Sequence, residues 1–430
     1  MKNPSRRDLF RFFSAGMLAQ LSLAALAREA RGDAPTSAAP DAPRSAGPGT
    51  AKASSLIVLW MNGGQSHIDT WDPKPGTSVG GLHKAIKTAT PGLSISEHLP
   101  ELARLSKKLC VVRGMVHKEG NHQRANALLH TSYAPSPTVD HPSFGGWVSK
   151  RLGPPSRGLP AFVSLGGPSH SAGFFGVQHG PFVLQKAGGL PQNVSYAPGI
   201  DGQRFDARLK LLDTIEAEYA KKTGDPKVDG HRALTTQAVG LMRAQELAAF
   251  DLAGTPKATL DAFGDSDFGR GCLVASRLVA AGTRYVEVAL DGWDTHIDNF
   301  GRTKKLMGVL DPAFSSLVKD LDHRGLLAKT TVVLMTDFGR TPRINANDGR
   351  DHHPGASSVV LAGAGVRVGQ VVGETDAQGT KVVAKPVTVP TLVATLATVL
   401  GLDPADAAIS PSGRPIALAD GGQPLRELLV

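Results

Sequence analysis

The apolar run at 332–335 is the feature that most constrains what this chain can fold into. It lies in TTVVLMTDFGRTPRINANDGRDHHP (330–354), and no polar residue interrupts it. A strand whose successive side chains are all apolar has to be covered on both faces, as in a parallel sheet with helices on either side. The run then breaks into a loop carrying Asp337, Arg340, Arg343, Asp348, Arg350, Asp351, His352 and His353. Open α/β sheets place ligands at the carboxyl ends of such strands, which makes this loop a candidate site. Two other apolar runs end in the same way. SSLIVLW at 54–60 leads into Met61-Asn62-Gly63-Gly64, and RYVEVAL at 284–290 leads into DGWDTH at 291–296. The paired glycines permit a tight turn and close backbone approach to a ligand. The three strand ends are expected to meet in one site.

Helical apolar spacing fills the intervals between these runs. It predicts helices over 97–108, 144–152, 205–222, 232–252, 275–282, 306–327 and 391–402. The helix over 306–327 carries a stripe of Val309, Leu310, Phe314, Leu317, Val318 and Leu321, with Pro312 placed to kink it. Alternation of strand and helix across 54–402 predicts an α/β fold: a doubly wound, mostly parallel sheet with helices on both faces.

The compartment is written in the first residues. Ser5-Arg6-Arg7-Asp8-Leu9-Phe10 is a twin-arginine pattern, the moderately apolar run 12–26 follows, and Ala25-Leu26-Ala27 offers a small-residue cleavage site. The apolar run falls short of the ~20 residues that span a bilayer. Residues 1–30 are therefore expected to be a twin-arginine signal peptide and 31–53, rich in Ala, Pro, Ser and Gly, a flexible linker. The α/β domain is expected over 54–430. The protein would then be a client of the twin-arginine export machinery, delivered to the periplasm or the extracellular space, with no transmembrane segment in the mature chain. A formal net charge of +9 is spread along the sequence without a basic run, which argues against a nucleic-acid partner. Cys110 and Cys272 are too few for a cysteine metal site and are expected to be buried, unpaired thiols.

By residue type, Asp294, His296, Asp337, His352 and His353 suit a divalent metal such as Zn²⁺, since carboxylate oxygen and imidazole nitrogen are its ligands. Spacing does not settle this, because the residues come from separate strand ends and a loop histidine is more often a hydrogen-bonding residue than a ligand. Arg340, Arg343 and Arg350 suit an anion, which guanidinium binds bidentately. The other reading of these arginines is that they pair with Asp348 or Asp351 to hold the loop in shape.

Four separated stretches carry a resemblance: MNGGQSHIDTWDPKP at 61–75, HPSFGGWVSKRLG at 141–153, GWDTH at 292–296 and DFGRTPRINANDGRDHHP at 337–354. Together they resemble the domain of unknown function 1501 family, related to the alkaline phosphatase and sulfatase superfamily, over roughly 54–402. The resemblance implies the same α/β fold and two metals at strand ends beside a Ser, Thr or formylglycine nucleophile. Carried over residue by residue, a first Asp falls on Asn62, and a middle set on Asp294 and His296, with Asp291 as a substitute. An Asp-His pair falls on Asp337 and Phe338, and a final His on His352 or His353. Asn62 is a neutral, weaker ligand and Phe338 cannot bind a metal, so one of the two metal positions is expected to be lost or weakened. The nucleophile's place falls at Asn121 or His122, neither a hydroxyl, which leaves attack by a metal-activated water as the route.

The function this implies is an exported, metal-dependent (Zn, Mn or Ca) hydrolase of phosphate or sulfate esters with a degenerate site. His122 and Arg340 are its candidate catalytic residues, Asn62, Arg340 and Arg343 its candidate substrate-binding residues, and a small anionic ester or a sulfated or phosphorylated glycan its partner. The alternative is a non-catalytic anion- or glycan-binding or scaffolding protein on the same fold.

Overall fold

A computed structural model describes residues 51–154, 158–225 and 227–430. The predicted signal peptide and all but the last three residues of the predicted linker lie outside the described residues. Two of those three are pinned: the N–H groups of Lys52 and Ala53 both donate to Val399 O, at 2.9 and 3.0 Å.

The framework is a nine-stranded sheet. Its strands are β1 (Ser55–Met61), β2 (Leu109–Val116), β3 (Phe162–Leu165), β4 (Phe182–Leu184), β5 (Tyr285–Leu290) and β6 (Thr330–Thr336). A two-stranded hairpin of β7 (Gly339–Arg340) and β8 (His352–His353) interrupts the series, which resumes with β9 (Ser357–Gly363), β10 (Gln370–Val372) and β11 (Val387–Thr388). The spatial order is β10-β2-β9-β6-β1-β5-β3-β4, with β11 also paired to β2. All run in one direction except β9, which is antiparallel to both of its neighbours. The predicted mostly parallel α/β sheet is the architecture found.

Side-chain alternation explains why the central strands are apolar throughout. Ile57, Leu59 and Met61 of β1, with Val332 and Leu334 of β6, enter one core. Leu56, Val58 and Trp60, with Val333 and Met335, enter the core on the opposite face. Helices cover both. The helices used below are α1 (His122–Thr131), α2 (Phe144–Leu152), α3 (Asp267–Ala280), α4 (Asn299–His323) and α5 (Val389–Val399). α3 and α4 pack on the first face, α2 and α5 on the second. α4 holds the predicted apolar stripe and continues through Pro312.

Several helices differ from expectation for local reasons: the one expected over 275–282 begins at Asp267, capped by Ser266, and the one expected over 306–327 begins at Asn299, capped by Asp298. The helix expected over 97–108 begins only at Pro100, whose fixed φ suits a first turn. The helix expected over 232–252 starts earlier, at Lys227, and stops at Arg243, where a 3₁₀ turn takes over. Both cysteines are buried and unpaired, and burial pushes the Cys110 thiol up to about 12, which leaves it inert. No described helix is long and apolar enough to cross a membrane.

Register positions the site. Met61 pairs with Leu290 on one side and Thr336 on the other. The three central strands therefore end level, and the next residues, Asn62, Asp291 and Asp337, leave the sheet along one edge.

Candidate functional site

From that edge three loops fold towards each other. After β1, Gly63 and Gly64 adopt positive φ (108° and 82°), and a Cβ on Gly63 would come within 2.6 Å of the Asp294 backbone nitrogen. Only glycine lets the loop after β5 come this close. After β6, Asp337 and Phe338 lead into the β7–β8 hairpin, in which His352 pairs with Arg340 and His353 with Gly339. The segment between the two short strands is stapled by Arg350. Its Nε and Nη2 donate to the Asp69 carboxylate at 2.7 and 3.2 Å, and its other hydrogen bonds go to the carbonyls of Thr341 (3.1 Å), Pro342 and Val79 (2.8 Å). Asp69 also accepts from Ser66 Oγ (2.6 Å) and Asn299 Nδ2 (2.9 Å), which ties in the start of α4. The fourth contributor is α1, capped by the Asn121 side chain and opening on His122.

At the centre is one oxygen, Asp294 Oδ1. Arg340 Nη2 donates to it at 2.6 Å, and the Nε2 atoms of His296, His122 and His352 lie 3.1, 3.3 and 3.4 Å away. His296 Nε2 and His352 Nε2 are 2.9 Å apart. The outward ring nitrogens are all engaged: His122 Nδ1 with Asp337 Oδ2 (2.5 Å), His296 Nδ1 with Asp351 Oδ1 (2.8 Å) and His352 Nδ1 with Gly120 O (2.7 Å). Carboxylates and carbonyls only accept, so each Nδ1 carries the proton. In the neutral rings each Nε2 is then a bare lone pair aimed at a carboxylate oxygen. Such a convergence of acceptors calls for a positive charge among them, a proton or a metal. His122 Nε2 and Asp337 Oδ1 are buried without a hydrogen-bond partner. Phe338 is fully buried, with its ring against both His122 and His352 (centroids 4.8 and 4.6 Å).

The electrostatics follow from these neighbours. Burial pushes the Asp294 carboxyl up, but the hydrogen bond and charge of Arg340, with His122 and His296 adding to them, bring it down to about 2. The hydrogen bond to Asp337 raises the His122 imidazole against the cost of its burial. Burial lowers His352; the Gly120 carbonyl opposes this, and the charges of Arg340, His122 and His296 reinforce it.

The structure thus gathers His122, Asp294, His296, Asp337, Arg340 and His352, and leaves His353, Asn62 and Arg343 apart. His353 faces away, with Nε2 on Thr380 O at 2.8 Å. Asn62 is exposed and paired with Asp291 (2.7 Å). Arg343 is exposed. Arg340 is fully buried and its guanidinium is taken up by Asp294 and the carbonyls of Gly63, Gly64 and Arg350. It therefore holds the site together and does not face solvent. The Asp351–His296 contact and the Asp69–Arg350 staple were not foreseen; the latter joins residues 281 positions apart, and nothing in local spacing announces it.

Among the described residues, His122, Asp294 and His352 form one group whose ligand atoms all lie within 4.8 Å of one another. Ligands about 2.0–2.2 Å from a tetrahedral zinc are roughly 3.3–3.6 Å apart, so the two Nε2–Oδ1 separations suit such an ion. Two imidazoles and a carboxylate are also a donor set that zinc accepts and calcium, which favours oxygen, does not.

The family described as "Protein of unknown function (DUF1501)" matches residues 53–429. No curated protein matches the chain. Among solved structures, a sulfatase from Pseudoalteromonas sp. is 13% identical at TM-score 0.37, covering 81% of this chain and 68% of its own. A phosphonate monoester hydrolase from Silicibacter pomeroyi is 12% identical at TM-score 0.39, with 87% and 76% covered. The C-terminal periplasmic domain of EcEptC from Escherichia coli, in complex with Zn, is 10% identical at TM-score 0.37, with 91% and 96% covered. Likeness this loose transfers no residue's role.

Proposed function

The chain belongs to the DUF1501 family, a name that commits it to no activity, and from its site we propose that it is an exported, metal-dependent hydrolase of phosphate or sulfate esters. One observation carries the reading: imidazoles whose Nδ1 atoms are anchored on acceptors turn their Nε2 lone pairs onto a single carboxylate oxygen. His122, Asp294 and His352 would hold the ion, and Asp337 and Gly120 O would fix the two rings, as outer-shell acceptors do for metal-bound histidine. When bound, a divalent cation there supplies Lewis acidity to an ester oxygen and acidifies water.

His296 stands outside the ligand group, with Nδ1 held by Asp351 and Nε2 turned inward. A carboxylate-oriented imidazole in that position is suited to take a proton as general base. Arg343, exposed on the loop between β7 and β8, is the residue we assign to meeting the anion. The substrate class is a small phosphate or sulfate ester, sulfated or phosphorylated glycans included. Export rests on Arg6-Arg7 and the apolar run behind them.

Protein recovered from the exported fraction is expected to hold a divalent metal and to hydrolyse aryl phosphate or sulfate. Changing both His122 and His352 to Ala should abolish both properties. Finding no metal, and no turnover with Zn²⁺, Mn²⁺ or Ca²⁺ added, would sink the proposal. One observation favours the second reading, a binding protein: the helix before which a nucleophile was expected is capped by Asn121 and opens on His122, and neither carries a hydroxyl. That reading expects anions to raise the melting temperature without turnover.

A further inference from the structure

We infer that Arg340 is a positioning residue of this site, which aims Asp294 at a single bound metal ion. The inference rests on the metal reading above. Arg340 is fully buried, and the carboxylate it pairs with, Asp294, is shared with three imidazoles. Its Nε donates to Gly64 O (2.9 Å), Nη1 to Arg350 O (3.1 Å), and Nη2 to Gly63 O and to Asp294 Oδ1 (2.6 Å). Three carbonyl oxygens and one carboxylate oxygen thus form a cradle that fixes the plane of the guanidinium.

The cradle is made deliberately by backbone conformation. Gly63 and Gly64 turn their carbonyls inward at positive φ, and a Cβ on Gly64 would lie 2.9 Å from the Phe338 ring and 3.2 Å from Arg340 Nε. The carboxylate oxygen that receives Arg340 is the one facing the three Nε2 atoms. Holding it on one lone pair leaves the other directed at the imidazoles. The Phe338 ring packs on His122 and His352. Among the described residues the ligand atoms gathered here make one group, which suits one ion.

A lysine at 340 would keep the charge but not the planar fork, so it separates aim from charge. The test titrates Co²⁺ into metal-free full chain, following visible absorption and equilibrium dialysis. The unmodified chain should bind one equivalent with a tetrahedral cobalt spectrum. Arg340→Lys and Arg340→Gln, checked for native circular dichroism, should both bind about 10–100-fold more weakly, as loss of an outer-shell partner does, with an altered spectrum. Unchanged affinity and spectrum in Arg340→Lys would overturn the positioning role. Two equivalents in the unmodified chain, both lost in His122→Ala/His352→Ala, would overturn the single-ion assignment, and this arm decides the matter even where neither Arg340 variant folds. No cobalt bound at all would refute the metal site itself, a distinct outcome.

Discussion

Two arginine–carboxylate pairs stand a few residues apart in the same loop system, and they are built to opposite ends. In Asp69–Arg350 both side chains are fully buried, and the carboxylate receives Arg350, Ser66 and Asn299 while the guanidinium reaches three carbonyls besides. In Asp294–Arg340 the arginine is equally buried, but the Asp294 side chain is 47% exposed and three imidazole nitrogens crowd one of its oxygens. A polar cluster with every atom satisfied rigidifies a fold. One that keeps convergent lone pairs unsatisfied near solvent is poised to bind something. The contrast separates architecture from site more sharply than residue type does.

The contrast breaks most visibly if the buried pair is cut. Arg350→Met strands the Asp69 carboxylate, so unfolding in denaturant should show a loss of about 3–5 kcal/mol, or no folded protein. A cost under about 1 kcal/mol would place Asp69–Arg350 in the same class as the site.

Acid should act next, through the interior. Burial lowers His67 to about 4 while its Nε2–H holds Gly379 O; His170 and His179 are also lowered to about 4, again by burial. A folded-state pKa below the unfolded 6.5 means the unfolded chain binds more protons between those values. Stability is thus full above about 6.5 and falls as pH drops towards 4, by up to about 3 kcal/mol from His67 alone. Melting curves for His67→Gln should be flatter over that window; a slope equal to that of the unmodified chain would assign the acid lability elsewhere.

At the exposed cluster the expected effects move from stability to binding. His352→Ala should weaken zinc binding at least about 100-fold, beyond what outer-shell losses cost, with stability changed by no more than about 1 kcal/mol. A large stability loss with metal binding intact would reverse the distinction between the two pairs. The smallest change concerns orientation alone: Asp351→Asn should lower ester turnover about 10-fold and leave metal content as it was, because it loosens His296 without touching a ligand.

The sheet was legible because strands buried on both faces leave an uninterrupted apolar signature, as at 332–335. The site was legible in part, for reasons that particular residues make plain. Asp294 and His352 announced themselves by chemistry and by position after a strand. Whether His352 or His353 belonged to the site was not decidable beforehand, since adjacent residues in a strand point to opposite sides and only the pairing register of β8 decides which one turns inward. Arg340 had the chemistry of an anion ligand; its burial depends on the carbonyls of two distant glycines, a property of backbone conformation that its own neighbours do not encode. Asp351 was recognised as a loop carboxylate, but its hold on His296 depends on a meeting of two loops.

Within the nine-stranded sheet, β9 is the strand that runs against the rest. An antiparallel neighbour of β6 can be reached by a turn of about two to five residues, yet here the chain takes all of 337–356 to make that short trip. Both anchors of this excursion sit on the same rim, so its length is decoupled from the register of the sheet. Residues 341–349 use that freedom to lace two loops together: the N–H groups of Asp298 and Asn299 donate to Asn347 O (3.0 Å) and Asp348 O (2.9 Å), Asn345 Nδ2 donates to His296 O (3.0 Å), and Arg350 holds the carbonyls of Thr341 and Pro342.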